Sequence, residues 1–392
     1  MNKPESAPRR SRAGTYVTVS TVGNERVRAF VPGPLPPSPP IEIDGGLRRA
    51  LDAALVELGR VDGVSAFLPD RNLLLYSYIR KEAVLSSQIE GTQSSLSDLL
   101  LAEIDEAPGA PVDDVIEVSN CVAAIEHGVR RMHGGFPLSN RLLREMHEVL
   151  LRRGRGADKQ PGRFRRSQNW IGGTRPGNAV FVPPPADRVA DLMGDLERFI
   201  HDPQNSVLLK AALAHVQLET IHPFLDGNGR VGRILITLIL VNEGVLSAPM
   251  LYLSLFFRQH RQAYYDHLNA VRRDGNWAGW LGFFAEAVIE TARSAVETAH
   301  RATELFQSDL ARIHSLGRRA SSAAQVHAKL CERPLASIAK LHELTGMSIP
   351  TITRGLEALE GLGIVRETTG RRRGRVYAYD RYLQLLNEGM ER

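Results

Sequence analysis

Within the twelve residues from His222 to Arg233 the chain reads HPFLDGNGRVGR. These are the parts that phosphoryl-group chemistry needs. Gly227, Asn228 and Gly229 stand just before an aliphatic stretch that reads as helix, so their backbone N–H groups and the helix N-terminus can form a nest for an anion. Glycine there lets a phosphate come close. Arg230 and Arg233, three apart on the same helix, share a face from which both can reach one triphosphate. Asp226 is a hard oxygen ligand suited to Mg²⁺ bridging phosphates. His222, four residues earlier, can take a proton from an attacking hydroxyl near neutral pH, a role worth roughly 10²–10⁴-fold in rate. In isolation each part has a plainer meaning: a structural histidine, a turn, a solvated helix face. Their conjunction in one short stretch is what favours chemistry. Phe224, beside Pro223, reads as a core anchor that fixes the loop. Neither the GxxxxGK[ST] order of a P-loop nor the HExxH spacing of a zinc site is present.

The elements that must position these residues are mostly helical. At 392 residues, 43% hydrophobic and 24% charged, the chain is an ordinary globular protein of two or three domains. Its longest apolar run, ILITLILV, is far below membrane-spanning length, so no membrane partner and a cytoplasmic location are expected. Cys121 and Cys331 lack disulfide or metal spacing and read as buried thiols. Residues 1–40, ending in VPGPLPPSPP, suggest an extended arm with little fixed structure. Helical periodicity runs through 41–110, through a domain at 111–300 and into a linker helix at 301–320, with helices at about 112–133 and 138–152, the latter capped by Ser139. The exception is QNWIGGTRPGNAVFVPPP, residues 168–185, which reads as a β-hairpin around a glycine-rich turn.

From 321 to 392 the pattern changes to helix, turn, helix and a basic hairpin, the order of a winged helix-turn-helix. The net charge of +5 resides beyond residue 300, where 15 Lys/Arg face 10 Asp/Glu. Thr351, Thr353 and Arg354 are the candidate major-groove contacts, and Arg371, Arg372, Arg373 and Arg375 the candidate wing contacts to DNA. Winged helices also serve as dimerisation or peptide-binding modules.

The stretch from His222 resembles the signature of the Fic (filamentation induced by cyclic AMP) family, HPFx[D/E]GNGRxxR, with every fixed position met. LSNRLLREMHEVLL, PGRFRRSQNWIGG, AVFVPPP and PMLYLSLFF are also similar to family segments, over about residues 60–290. The resemblance implies a mainly α fold, a helical bundle with a β-hairpin flap, and transfer of AMP from ATP to a Tyr, Thr or Ser hydroxyl of a target protein. It assigns His222 as base, Asp226 as Mg²⁺ ligand, Gly227 to Gly229 as phosphate nest, and Arg230 and Arg233 as holders of the β- and γ-phosphates. The flap, with Ile171, Gly172, Gly173, Val180, Phe181 and Val182, would pair with an extended target segment by strand addition.

SSQIEGT is similar to the family's inhibitory helix, with Ser86, Glu90 and Gly91 at its fixed positions; Glu90 would pair with Arg233 and take the γ-phosphate pocket. A self-inhibited enzyme, open to self-modification, is expected. A homo-oligomer is expected too, because family members associate through helices near the active site. The alternatives are a DNA-binding regulator that uses the domain as an ATP-responsive switch, and removal of AMP from a target. An intact His222 favours transfer, since a sensor needs no base. Tyr252, Tyr264 and Tyr265 are adenine-stacking candidates, although aromatics at helical spacing more often belong to the core.

Overall fold

The computed structural model describes residues 13–20, 25–67, 72–104, 109–317 and 320–390; residues 1–12 and 21–24 of the expected N-terminal arm lie outside them. In chain order the elements are β1 (Gly14–Ser20), β2 (Arg26–Pro32), α1 (Gly45–Phe67), α2 (Asn72–Ile89), α3 (Leu96–Ala102), α4 (Val112–His133), α5 (Asn140–Leu150), α6 (Val189–His201), α7 (Val207–Ile221), α8 (Asn228–Asn242), α9 (Ser254–Gln259), α10 (Arg261–Asp274), α11 (Trp277–His314), α12 (Ala320–Glu332), β3 (Leu335–Ser337), α13 (Ile338–Thr345), α14 (Ile349–Gly361), β4 (Arg366–Glu367), β5 (Val376–Ala378) and α15 (Asp380–Asn387). The fold is mainly α, as expected.

The chain separates into two compact units, one of residues 1–58, 120–247 and 256–290, the other of 59–119, 248–255 and 291–392. The division falls inside α1, α4, α9 and α11 and so does not follow the boundaries expected at 110, 300 and 320. A change of composition along the chain cannot reveal a boundary that lies within a continuous helix.

At the centre of the first unit α7 packs on α8. Both are buried nearly all round, which is why their sequences lack a polar stripe. The pair approaches closely at Gly232, where a β-carbon would lie 2.8 Å from Glu219 Oε1 and 3.3 Å from His215 Nδ1. α5 starts where expected, its first turn capped by the Ser139 hydroxyl, which accepts the Leu142 N–H at 3.4 Å.

The N-terminal expectation needs correction. β1 and β2 form an antiparallel hairpin in register from Gly14↔Pro32 to Ser20↔Arg26. Alternation in RVRAFVP buries Val27 and Ala29 on one face, a period-two signal that the prolines downstream overshadow. The segment 168–185 is less regular than the hairpin expected. It holds a bridge between Ile171 and Phe181 and a 3₁₀ turn at Pro176–Asn178, with left-handed Gly172 and Gly173 leading into the turn.

In the second unit the carboxyl-terminal sheet has the order β3-β5-β4, with α12 packed on α14 and on α2. Buried Asp309 accepts the Tyr379 hydroxyl at 2.7 Å and pairs with Arg312 at 3.0 Å and Arg381 at 3.3 Å. The closing helix α15, absent from the sequence expectation, supplies Tyr382, Leu385 and Leu386 to this core.

Candidate active site

Two left-handed residues make the loop that carries HPFLDG. α7 ends when His222 turns to φ 50°, ψ 59° while its N–H still reaches the Leu218 carbonyl at 2.8 Å. α8 begins after Gly227, at φ 76°. A non-glycine residue held there costs about 1–2 kcal/mol, and it persists where the surroundings over-determine it.

Arg165 provides that constraint. Its Nε donates to the His222 carbonyl at 2.9 Å, Nη2 to the Pro184 and Ile221 carbonyls at 2.6 and 3.3 Å, and Nη1 to the Ser167 carbonyl at 3.2 Å. Its own N–H donates to the Pro223 carbonyl at 2.8 Å. Burial lowers the guanidinium to about 10, so it remains charged at neutral pH. From the other side, Asn228 Oδ1 accepts the Phe224 N–H at 2.8 Å and Nδ2 donates to the Phe224 carbonyl at 2.9 Å. Asn169 donates to the same carbonyl at 3.1 Å.

Phe224 is fully buried, the anchor expected, and its ring lies flat on His147 with centroids 3.8 Å apart and planes 7° from parallel. His147 Nδ1 accepts the Gly162 N–H at 2.9 Å, which leaves the proton on Nε2, and that donates to the Asp226 carbonyl at 3.0 Å. Burial lowers this imidazole to about 4, so it is neutral at pH 7.

The residues expected to form the site are therefore adjacent, with adjustments. The Asp226 carboxylate accepts the Gly227 N–H at 2.5 Å and lies 3.5 Å from Arg230 Nη2. The Asn228 side-chain amide bonds both the N–H and the carbonyl of Phe224, so of the expected nest it is Gly229 and the backbone of the first helical turn that offer N–H groups. Arg230 and Arg233 are both buried, each 2% exposed. Arg233 bonds the Tyr264 hydroxyl, which burial raises well above its ordinary range. Tyr264 in turn meets His215 Nε2 at 2.8 Å, and His215 Nδ1 donates to the Gly232 carbonyl at 2.9 Å between the two arginines. Arg272, on α10, reaches the Glu219 carbonyl at 2.9 Å and the Thr220 hydroxyl at 3.1 Å and covers the Phe181 ring at 4.2 Å.

The flap residues fall in the same unit as His222. Val180 is 74% exposed and Phe181 and Val182 are buried. Tyr252 and Tyr264 are core residues, Tyr252 packed edge-on against Tyr78 at 5.2 Å, while Tyr265 is half-buried.

The inhibitory candidates belong to the second unit. Ser86 is buried within α2, Glu90 is exposed just beyond its end, and Gly91, at φ 108°, makes the turn that only glycine adopts readily. In α14, Thr351 and Thr353 are half-buried and Arg354 is exposed. Their polar atoms have local partners: Ser348 Oγ for Thr351 at 2.8 Å, the Ile349 carbonyl for Thr353 at 2.9 Å, and the Pro350 carbonyl for Arg354 at 3.2 Å. Arg371, Arg372 and Arg373 are exposed and Arg375 is half-buried.

The sequence reading missed His147, Arg165, His215 and Arg272. His147 had a signal, because it shares the apolar face of α5 with Leu143, Met146 and Leu150. Arg165 had none, since GRFRRS does not reveal which arginine turns inward.

Residues 48–130 match the model of the Fic/DOC family N-terminal region, and residues 137–240 match that of the Fic/DOC family. A Culex quinquefasciatus protein named protein adenylyltransferase Fic is 28% identical over 249 residues, covering 60% of this chain and 47% of the relative. A Drosophila yakuba protein of the same name is 33% identical over 150 residues, covering 38% of this chain and 27% of the relative. The chain thus spans less than half the length of these curated relatives. A solved structure of a Fic family protein from Desulfovibrio desulfuricans G20 is 26% identical with a TM-score of 0.57, covering 87% of this chain and 98% of that one.

Proposed function

The chain belongs to the Fic/DOC family, and from that premise we propose that it transfers AMP from ATP to a hydroxyl side chain of a target protein. One observation carries the proposal: His222 is locked in a left-handed turn, its carbonyl held by Arg165, one short loop before a helix whose first turn is Asn228, Gly229 and Arg230. The arrangement supports a reading in which His222 acts as base beside a helix N-terminus able to bind an anion. In the transfer, the target hydroxyl oxygen bonds to the α-phosphorus and its proton passes to His222. The bond from the α-phosphorus to the pyrophosphate oxygen breaks, and pyrophosphate leaves.

Asp226 contributes one carboxylate, 35% exposed, and among the described residues no group of three or more His, Cys, Asp or Glu gathers to hold a metal alone. That donor set fits a Mg²⁺ ion that takes its other oxygens from phosphate and water. When bound, the ion would offset phosphate charge. Arg230 and Arg233 would hold the outer phosphates, and Glu90 would compete with the γ-phosphate for Arg233. Self-modification and a homo-oligomeric assembly are part of the same proposal.

The test is incubation of wild type, Glu90→Gly and His222→Ala with Mg²⁺ and ATP labelled at the α- or the γ-phosphate. Glu90→Gly should gain α-label over wild type, no form should gain γ-label, and His222→Ala should gain neither. Equal labelling of wild type and Glu90→Gly would remove the inhibitory role. ATP binding without transfer would favour the switch or the removal of AMP.

DNA binding is a second reading, favoured by the exposed run Arg371 to Arg373 between β4 and β5. Glu367 orders that turn by accepting the N–H groups of Thr369 at 2.7 Å and Gly370 at 2.8 Å. Duplex binding that weakens steeply with salt and on replacement of these arginines is the expected outcome.

A further inference from the structure

The flap segment already has a strand beside it. The Phe30 N–H of β2 donates to the Val182 carbonyl at 2.9 Å, and Val27 and Ala29 pack against Val182 with Ala179, Val17 and Val19 around them. On the opposite face Phe30 sits between Tyr16 and Phe181, with ring centroids at 5.1 and 6.1 Å. Ahead of the strand, Glu25 pairs with Arg175, and its second oxygen accepts the Gly177 N–H at 3.2 Å. A β-carbon on Gly177 would run into that carboxylate, so the 3₁₀ turn has the shape needed to receive it. One main-chain bond, alternate side chains and an end anchor are contacts of the kind strand addition uses.

We propose that β2 occupies in cis the place of an extended segment of the target, and that its sequence states what the flap reads. A matching target presents a carboxylate, a β-branched residue two positions on, a small residue two further and an aromatic next, as Glu25, Val27, Ala29 and Phe30 do here. The hairpin competes with such a target for the Val182 carbonyl and the Arg175–Gly177 turn. This inference rests on the transfer reading for the identity of the partner, and on the N-terminal contacts alone for the site.

The experiment uses the full chain and a fluorescent synthetic peptide of residues 13–33. Glu25→Lys in the full chain removes the end anchor, and Ala29→Asp puts a charge into the apolar contact. Each variant should bind the peptide about tenfold or more tightly than wild type does, the equivalent of one charge-assisted hydrogen bond. A peptide carrying the same Glu→Lys change should bind no chain. Deuterium exchange at the Phe30 amide should quicken in both variants while the α7–α8 core is unchanged. Peptide binding that is absent from all chains, or that neither variant strengthens, overturns the proposal and makes the hairpin a permanent part of the fold. ATP titration of the same samples separates the two claims. Variant-dependent peptide binding in chains that fail to bind ATP supports the docking site and counts only against transfer.

Discussion

The α7–α8 loop and the flap segment belong to the same unit and are built on opposite terms. Every turn of the loop is fixed by a buried polar group: Arg165 on the His222 carbonyl, Asn228 and Asn169 on Phe224, His147 on the Asp226 carbonyl. The flap has one bridge, a 3₁₀ turn, and two exposed apolar side chains, Trp170 at 40% and Val180 at 74%. The base role proposed for His222 requires that residue to be held within a fraction of an ångström, and the buried network supplies that rigidity. Recognition by strand addition, the role proposed for the flap, requires an edge that can exchange partners, and the flap's solvent-exposed bonds to Glu25 suit that.

The largest effect should follow removal of the loop's central cation. Arg165→Ala leaves four carbonyls, two buried and two part-buried, without its donors and should lower unfolding free energy by roughly 3–5 kcal/mol in urea titration. Transfer of α-label should fall by about 10² or more, because the left-handed His222 loses its brace. Arg165→Lys should recover stability only in part, since an ammonium cannot reach acceptors spread across a planar fork. A loss below about 1 kcal/mol in Arg165→Ala would erase the contrast between loop and flap.

A smaller effect should appear on acidification. Between Gly232 and Tyr264, His215 acts as donor on one nitrogen and acceptor on the other, which only a neutral ring can do. Burial lowers its pKa to about 3, against roughly 6.5 when unfolded. The unfolded chain therefore takes up the proton first. Stability from this group is complete well above about pH 6.5 and falls as pH drops toward 3, by roughly 3 kcal/mol between pH 7 and 4. Between pH 7 and 4, His215→Gln, which can keep both hydrogen bonds, should show a shallower fall in urea midpoint than wild type. Identical pH profiles would mean that this ring does not titrate as its burial implies.

The candidate site was legible because its residues are consecutive. His222, Asp226, Gly227 to Gly229, Arg230 and Arg233 are one stretch of sequence, and the helix after it announces itself by composition. What holds that stretch in place was not legible. Arg165 and His147 lie 57 and 79 residues from the His222 and Asp226 carbonyls they bind, and although the face of α5 marks His147 as inward, nothing local names either partner. Arg233 shows the limit from another direction. Spacing correctly put it on a face with Arg230, but α8 is buried on every side, so a shared face was no guide to exposure. The N-terminal hairpin was hidden for a different reason: its alternation is present, but the proline-rich stretch after it reads as an extended arm.

The smallest effect on stability should come from the flap, and that is its value. Val180 is the most exposed of the large hydrophobic side chains described, so Val180→Ser removes little burial and should change the urea midpoint by no more than about 0.5 kcal/mol. In a chain that also carries Glu90→Gly, ATP affinity should be unchanged, whereas α-label on the proteins of a cell extract should fall several-fold as the docking edge loses an apolar contact. A drop in stability above about 1 kcal/mol would show that Val180 is covered in solution, and the flap would then be a packed element like the loop. Unchanged labelling at unchanged stability would mean that Val180 takes no part in docking, leaving Phe181, Val182 and the Arg175–Gly177 turn as its contacts.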